Sequence, residues 1–238
     1  MQFNEAQIQA IQHNTGPCMV IAGPGSGKTT VLTHRVRYLI ERYGVNPSDI
    51  LVITFTKAAA EQMKLKFKGL SEGRNSAVTF GTFHAVFFTI LKAAYNYSAH
   101  CIIKPQIQHE FVKDQMCRLE LEYDDENEAV AGVLSEISCV KGEDVNIDEY
   151  ESRCIPPQSF RIMYRAYDDM LVRKHLIDFD DMIVQCRELL MQREDYRRAW
   201  QNKYKYILID EFQDINKAQF DVVRILADEY RNLFVVGD

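Results

Sequence analysis

The sequence predicts an α/β fold in which a parallel sheet is interrupted by a helical insertion. Three observations predict it. Short apolar runs flanked by turn residues recur along the chain, as in strands buried on both faces. Helical patterns follow most of these runs, and such alternation implies parallel strands joined by right-handed crossovers. Between Phe83 and Trp200 the strand signal vanishes and helical pattern takes over.

The first strand is expected over Cys18–Ala22, after which Val31, Val36, Leu39 and Ile40 fall near one helical face. The second is expected over Ile50–Thr54, followed by a helix facing inward through Ala58, Met63 and Phe67. A third strand over Val78–Phe80 leads into a helix over Phe83–Tyr95. Further helices are expected over Gln106–Leu121, Asn127–Ser138, Pro157–Lys174 and Phe179–Met191. Strands return at Tyr206–Ile209 and Leu233–Val236, with Phe220, Val223 and Leu226 on the core face of the helix between them. Residues 1–95 and 179–238 are therefore expected to form the sheet domain, and residues 96–178 an inserted all-helical subdomain. Asp238 directly follows the last apolar run, so the chain reads as a fragment.

Hydrophobic residues make up 47% of the 238 and charged residues 26%, an ordinary globular balance that excludes wholesale disorder and fibrous repeats. The uncharged stretch Asn75–Leu91 carries Gly81, His84 and several hydroxyls, so it is no membrane span. The N-terminus lacks the basic and apolar regions of a secretory signal. Six scattered cysteines without a C-x-x-C pair read as reduced, buried thiols of a cytoplasmic protein. The net charge of −6 hides an asymmetry. Lys28–Arg74 holds nine Lys/Arg against four Asp/Glu, whereas Gln106–Glu151 holds three against fourteen. A polyanion would meet the first segment and avoid the second, which otherwise reads as a solvated face.

The strongest motif runs from Ala22 through Gly23, Pro24, Gly25, Ser26, Gly27, Lys28 and Thr29 to Thr30, between an apolar strand and a helix. Its glycines let backbone N–H groups and a helix N-terminus wrap a phosphate. Lys28 would reach the β- and γ-phosphates and Thr29 would hold Mg²⁺. Ala22 stands where the strict pattern has glycine. A second apolar strand ends in Asp210-Glu211, placed to hold the magnesium shell and to orient or deprotonate an attacking water. The only candidate for a guanine-reading element, Asn216-Lys-Ala-Gln219, has Gln where Asp is needed. Gln7 offers the donor and acceptor of its amide to the adenine N6/N7 edge instead.

These motifs, in this order, resemble the UvrD/Rep group of superfamily-1 DNA helicases. Phe3-Asn-Glu-Ala-Gln7 is similar to that family's adenine-reading motif, and Ala22–Thr30 to its phosphate loop. Thr54-Phe-Thr-Lys-Ala-Ala-Ala60 is similar to a DNA-contacting motif, one residue short before Lys57, and Gly81-Thr-Phe-His84 to another. Asp178-Phe-Asp-Asp181 resembles a family signature, with helix capping by Asp178 as the plain alternative. Asp210-Glu-Phe-Gln-Asp214 resembles the acidic motif and Val235-Val-Gly-Asp238 the opening of the next. The resemblance implies a RecA-like P-loop NTPase sheet, ATP and Mg²⁺ as cofactors, and Lys28, Glu211 and Gln213 in catalysis. It implies contact of single-stranded DNA with Phe55, Thr56, Lys57, Thr82, Phe83 and His84. Phe55 and Phe83 follow strand carboxyl ends, the edge where α/β sheets bind ligands.

The expected function is the ATP-binding N-terminal part of an ATP-dependent 3′-to-5′ DNA helicase that translocates on single strands and unwinds duplexes, engaging single strands and duplex junctions and no membrane. A second RecA-like domain is expected elsewhere in the same protein, so these 238 residues alone should bind nucleotide weakly and hydrolyse almost none. The alternatives are the helicase portion of a helicase–nuclease, a nucleotide-dependent DNA-binding switch, and a small-molecule kinase, the last leaving the helical insertion and Asp210-Glu211 unexplained.

Overall fold

Five parallel strands form the sheet of the protein, seen here in a computed structural model that describes residues 3–71 and 77–238. They are β1 (Cys18–Ile21), β2 (Ile50–Thr54), β3 (Thr79–Thr82), β4 (Tyr206–Ile209) and β5 (Leu233–Gly237). Their order is β1-β5-β4-β2-β3, with Ile21 beside Gly237 and Thr54 beside Thr82. Because all five run the same way, every carboxyl end lies on one edge. Glu72 and Arg74, at the end of the basic segment, and the start of the apolar stretch at Asn75 lie outside the described residues.

Helices α1 (Glu5–Gln12), α2 (Lys28–Tyr43) and α3 (Lys57–Leu70) cover one face. Between β3 and β4 come α4 (Phe83–Ala94), α5 (Pro105–Arg118), α6 (Glu126–Glu143), α7 (Pro157–Lys174), α8 (Phe179–Gln192) and α9 (Glu194–Lys203), and α10 (Lys217–Ala227) joins β4 to β5. Alternation along β2 shows why both faces need cover. Ile50 and Val52 pack with Val36, Leu39 and Met63, while Leu51 and Ile53 pack with Phe87, Ile183 and Val223. A third apolar cluster stands apart from the sheet: Val112, Met116, Val133, Ile137, Phe160, Met163 and Tyr167 join α5, α6 and α7. The chain crosses into and out of these helices side by side, where Ile103 N donates to Ile177 O at 2.9 Å and Ile177 N to Cys101 O at 2.7 Å. No helix among the described residues is long and apolar enough to cross a membrane.

Several expectations need correction. The inward residue of α3 is Ala60 and not the exposed Ala58, because Ala60, Met63 and Phe67 share a face. Phe220 is exposed, against Phe212, and Val222 takes its core place. The expected helix Gln106–Leu121 begins at Pro105, a residue preset for the first helical turn. α6 starts at Glu126, capped by Asp125, and runs on to Glu143, well past Ser138. Helices α1 and α9 escaped notice: α1 is short, and α9 is so polar that it buries only Trp200 and Gln201. Of the six thiols only Cys186 is buried, while Cys117, Cys139 and Cys154 are exposed. The acidic segment is mostly a solvated face, tied by exposed pairs such as Lys113–Glu126, with Glu136 and Lys141 as buried exceptions.

Candidate functional site

The loop from Ala22 to Gly27 turns from β1 into α2, and Gly25 and Gly27 take left-handed backbone angles (φ 74° and 86°) that a side chain would strain. α2 starts without a side-chain cap and without an acid in its first turn, so its first N–H groups and its positive dipole end stay open to an anion. The Lys28 side chain is 9% exposed; it pairs with Asp238 and, at 3.4 Å, with Glu211. The hydrogen bond to Asp238 foremost, and then the charges of both carboxylates, hold its pKa above the usual lysine value.

Asp210 ends the β4 run and is buried. Burial foremost, and then the charge of Glu211 beside it, raises its pKa. Thr29 Oγ1 lies 3.5 Å from Asp210 Oδ2. A hydroxyl and a carboxylate are hard oxygen donors, and magnesium takes one or two such protein ligands and completes its shell with water and phosphate. The residues thus fit the ion. Glu211 holds a left-handed backbone (φ 54°) at the strand's end, a strain of the kind that collects at functional turns. Gln213 Nε2 donates to Glu211 Oε2 at 3.0 Å, and its Oε1 accepts from Asp238 N at 3.2 Å. A Cβ on Gly237 would lie 2.6 Å from Gln213 Oε1, so this contact needs glycine.

Gln7 reaches the same loop from α1. Its Oε1 accepts from Asn4 N at 3.1 Å in a capping box, and its Nε2 donates to Ser26 O at 3.0 Å. The amide keeps one lone pair and one hydrogen for a base.

The β2 and β3 ends are different in kind. Phe55 is 42% exposed, Thr56 caps α3 by accepting from Ala59 N, and Lys57 projects freely, 3.9 Å from Glu61. Thr82 caps α4 by accepting from Ala85 N. Phe83 corrects the expectation of an available aromatic. It is 2% exposed and packs edge-on to Phe87, because Phe83, Val86, Phe87 and Ile90 form the buried face of α4. His84 is half-buried against Phe179, and burial lowers its pKa. Both line a cavity of about 510 Å³ with Gln108, Ser138 and Asp180.

Asp178 is both a helix cap and more. It accepts from Asp181 N at 2.6 Å, and it faces Lys141 of α6, whose Nζ lies 3.0 Å from Asp178, 2.7 Å from Asp181 and 3.0 Å from Asp168. Burial opposes the Lys141 charge, but the three carboxylates more than offset it and raise its pKa. Sequence reasoning missed Lys141, Asn4 and the pairing of Asp238 with Lys28. Asn4 alone had a local signal, since a capping residue three before Gln7 marks a helix start.

The family model described as UvrD/REP helicase N-terminal domain matches residues 3–238. A Staphylococcus epidermidis protein named ATP-dependent DNA helicase PcrA is 33% identical over 248 residues, covering 99% of this chain and 33% of that protein. A Staphylococcus aureus protein of the same name is 32% identical over 245 residues, with the same coverage. The chain spans about a third of the length of the curated relatives it matches.

Proposed function

Because the chain belongs to the UvrD/REP helicase N-terminal domain family, we propose that it is the ATP-binding N-terminal part of an ATP-dependent 3′-to-5′ DNA helicase. One observation carries this reading: Lys28, Thr29, Asp210, Glu211 and Gln213 converge on one sheet edge around the open start of α2. In this reading Lys28 exchanges its carboxylates for the β- and γ-phosphates. Thr29 and Asp210 hold Mg²⁺, which supplies charge neutralisation to the phosphates when bound. Glu211 orients or deprotonates the water, Gln213 holds Glu211, and Gln7 reads adenine, with Ala22–Thr30 lining the phosphates.

Phe55, Thr56, Lys57, Thr82 and His84 face single-stranded DNA along the β2–β3 end, with Phe83 as the support beneath. Residues 1–95 and 179–238 form a RecA-like domain, and residues 96–178 an inserted helical subdomain, supported by its separate apolar cluster and the Ile103–Ile177 clasp. A second RecA-like domain of the same protein supplies the remaining charge stabilisation. ATP closes the two domains and hydrolysis reopens them, so that an alternating grip becomes translocation on single strands and unwinding at duplex junctions. The protein acts in the cytoplasm.

The test is DNA-stimulated ATP hydrolysis and strand separation by the full-length protein. Glu211→Gln should retain Mg·ATP and lose about 10²–10⁴ in turnover. Duplexes with a 3′ single-stranded tail should open and those with a 5′ tail should not. Hydrolysis indifferent to DNA would instead indicate a nucleotide switch.

A further inference from the structure

Helix α1 has no basic residue in its last turn, so nothing of its own answers the partial negative charge of its final carbonyls. Arg35, from the middle of α2, answers it. Its Nη1 donates to Ala10 O at 3.2 Å and to His13 O. Its guanidinium lies over the Phe234 ring of β5, 4.3 Å from the centroid. The side chain is fully buried, and its Nε finds no partner among the described residues. Burial pulls its pKa down to about 10, so the cation persists at neutral pH. An apolar side chain would fill this space without the desolvation cost. What the guanidinium adds is direction: it fixes where the end of α1 sits against β5.

At the other end of the same eight-residue helix stands Gln7, bonded to Asn4 and to Ser26 of the phosphate loop. A helix of two turns moves as one piece, so a grip on its C-terminus sets the place of its N-terminus. The geometry points to Arg35 as a positioning residue for base recognition: by gripping the C-terminal carbonyls of α1 while its own guanidinium lies over Phe234, it aims the Gln7 amide at the base of the bound nucleotide. This rests on the reading of Gln7 as the adenine contact and deepens it. An amide that must meet a donor and an acceptor at once tolerates little displacement. The phosphates are held by the β1–α2 loop, so losing the grip harms recognition of the base and spares that of the phosphates.

The test compares binding of Mg·ATP, Mg·ITP and magnesium tripolyphosphate by the full-length protein and its Gln7→Ala, Arg35→Lys and Arg35→Met variants, each with a melting curve. ITP replaces the adenine amino donor with an acceptor. The expected result is an ATP-over-ITP preference that falls roughly fivefold to tenfold in Gln7→Ala, as for one good hydrogen bond. It should fall comparably in Arg35→Met and less in Arg35→Lys, with tripolyphosphate binding unchanged and no further fall in Gln7→Ala/Arg35→Met. Equal weakening of all three ligands, an unchanged preference, or failure of Arg35→Lys to fold would overturn the inference while leaving the Gln7 reading intact. An unchanged preference in Gln7→Ala would instead overturn that reading, and the inference with it.

Discussion

Lys28 meets Glu211 and Asp238 at the open edge of the sheet, where both carboxylates are 41% exposed, whereas Lys141 meets Asp178 and Asp181 between helices at 4% and 18%. The pairs are chemically alike and their surroundings differ. Carboxylates that stay wet lose little when a cation leaves them, since exposed pairs contribute little net stability. In the proposed reading Lys28 therefore trades its partners for phosphate. Asp178 and Asp181 are too dry to be left alone, so Lys141 is a fixture that binds α6 to the start of α8, with the wetter Asp168 of α7, 41% exposed, as a third partner. On that reading, hydration of the partners, more than the lysine itself, separates a binding group from a structural one.

Lys28→Ala should break the comparison most sharply. Mg·ATP binding should vanish in calorimetric titration, while the melting temperature barely moves. Loss of folding in that variant would make Lys28 a fixture too. Lys141→Met should do the reverse, with nucleotide binding preserved in whatever fraction folds and stability lowered by about 3–5 kcal/mol in urea unfolding. Its pH dependence sharpens the point. Burial foremost, with the Asp178 charge, already pushes the Asp181 carboxyl up to about 6, so the folded chain binds more protons than the unfolded one between about pH 4 and 6. Stability from this group is therefore lost as pH rises through that window. Without the cation the Asp181 carboxyl takes up its proton still more readily, so the damage of Lys141→Met should be smaller at pH 5 than at pH 8.

Two smaller effects belong to the β2–β3 end of the sheet. Phe55→Ala should weaken single-stranded DNA binding by about 1–3 kcal/mol at every salt concentration, read by anisotropy with labelled oligo-dT. An unchanged affinity with a large drop in melting temperature would place Phe55 in the core. Lys57→Ala should lower the slope of log affinity against log salt by about 1 and leave the melting curve unchanged.

The strands and the glycine-rich turn from β1 into α2 were legible because each is written in adjacent residues: an apolar run, then glycines, then Lys28-Thr29. Lys141 was not, since its partners lie 27 to 40 positions away and charge counting filed it under a solvated face. Arg35 was hidden likewise, by partners on a helix that was itself overlooked. Phe83 is a different lesson, because its signal was present. Residues 83, 86, 87 and 90 are apolar at helical spacing, and that periodicity outranks position at a strand's end.

The left-handed backbone of Glu211 carries a cost that selection for robustness alone would remove. A branched or long side chain is held there against its preference, whereas asparagine settles in that region readily. Glu211→Asn should therefore raise the melting point, by the equivalent of up to about 1 kcal/mol, while ending turnover. A screen for heat-tolerant variants of this protein would drift toward that substitution and return sturdier molecules that no longer work.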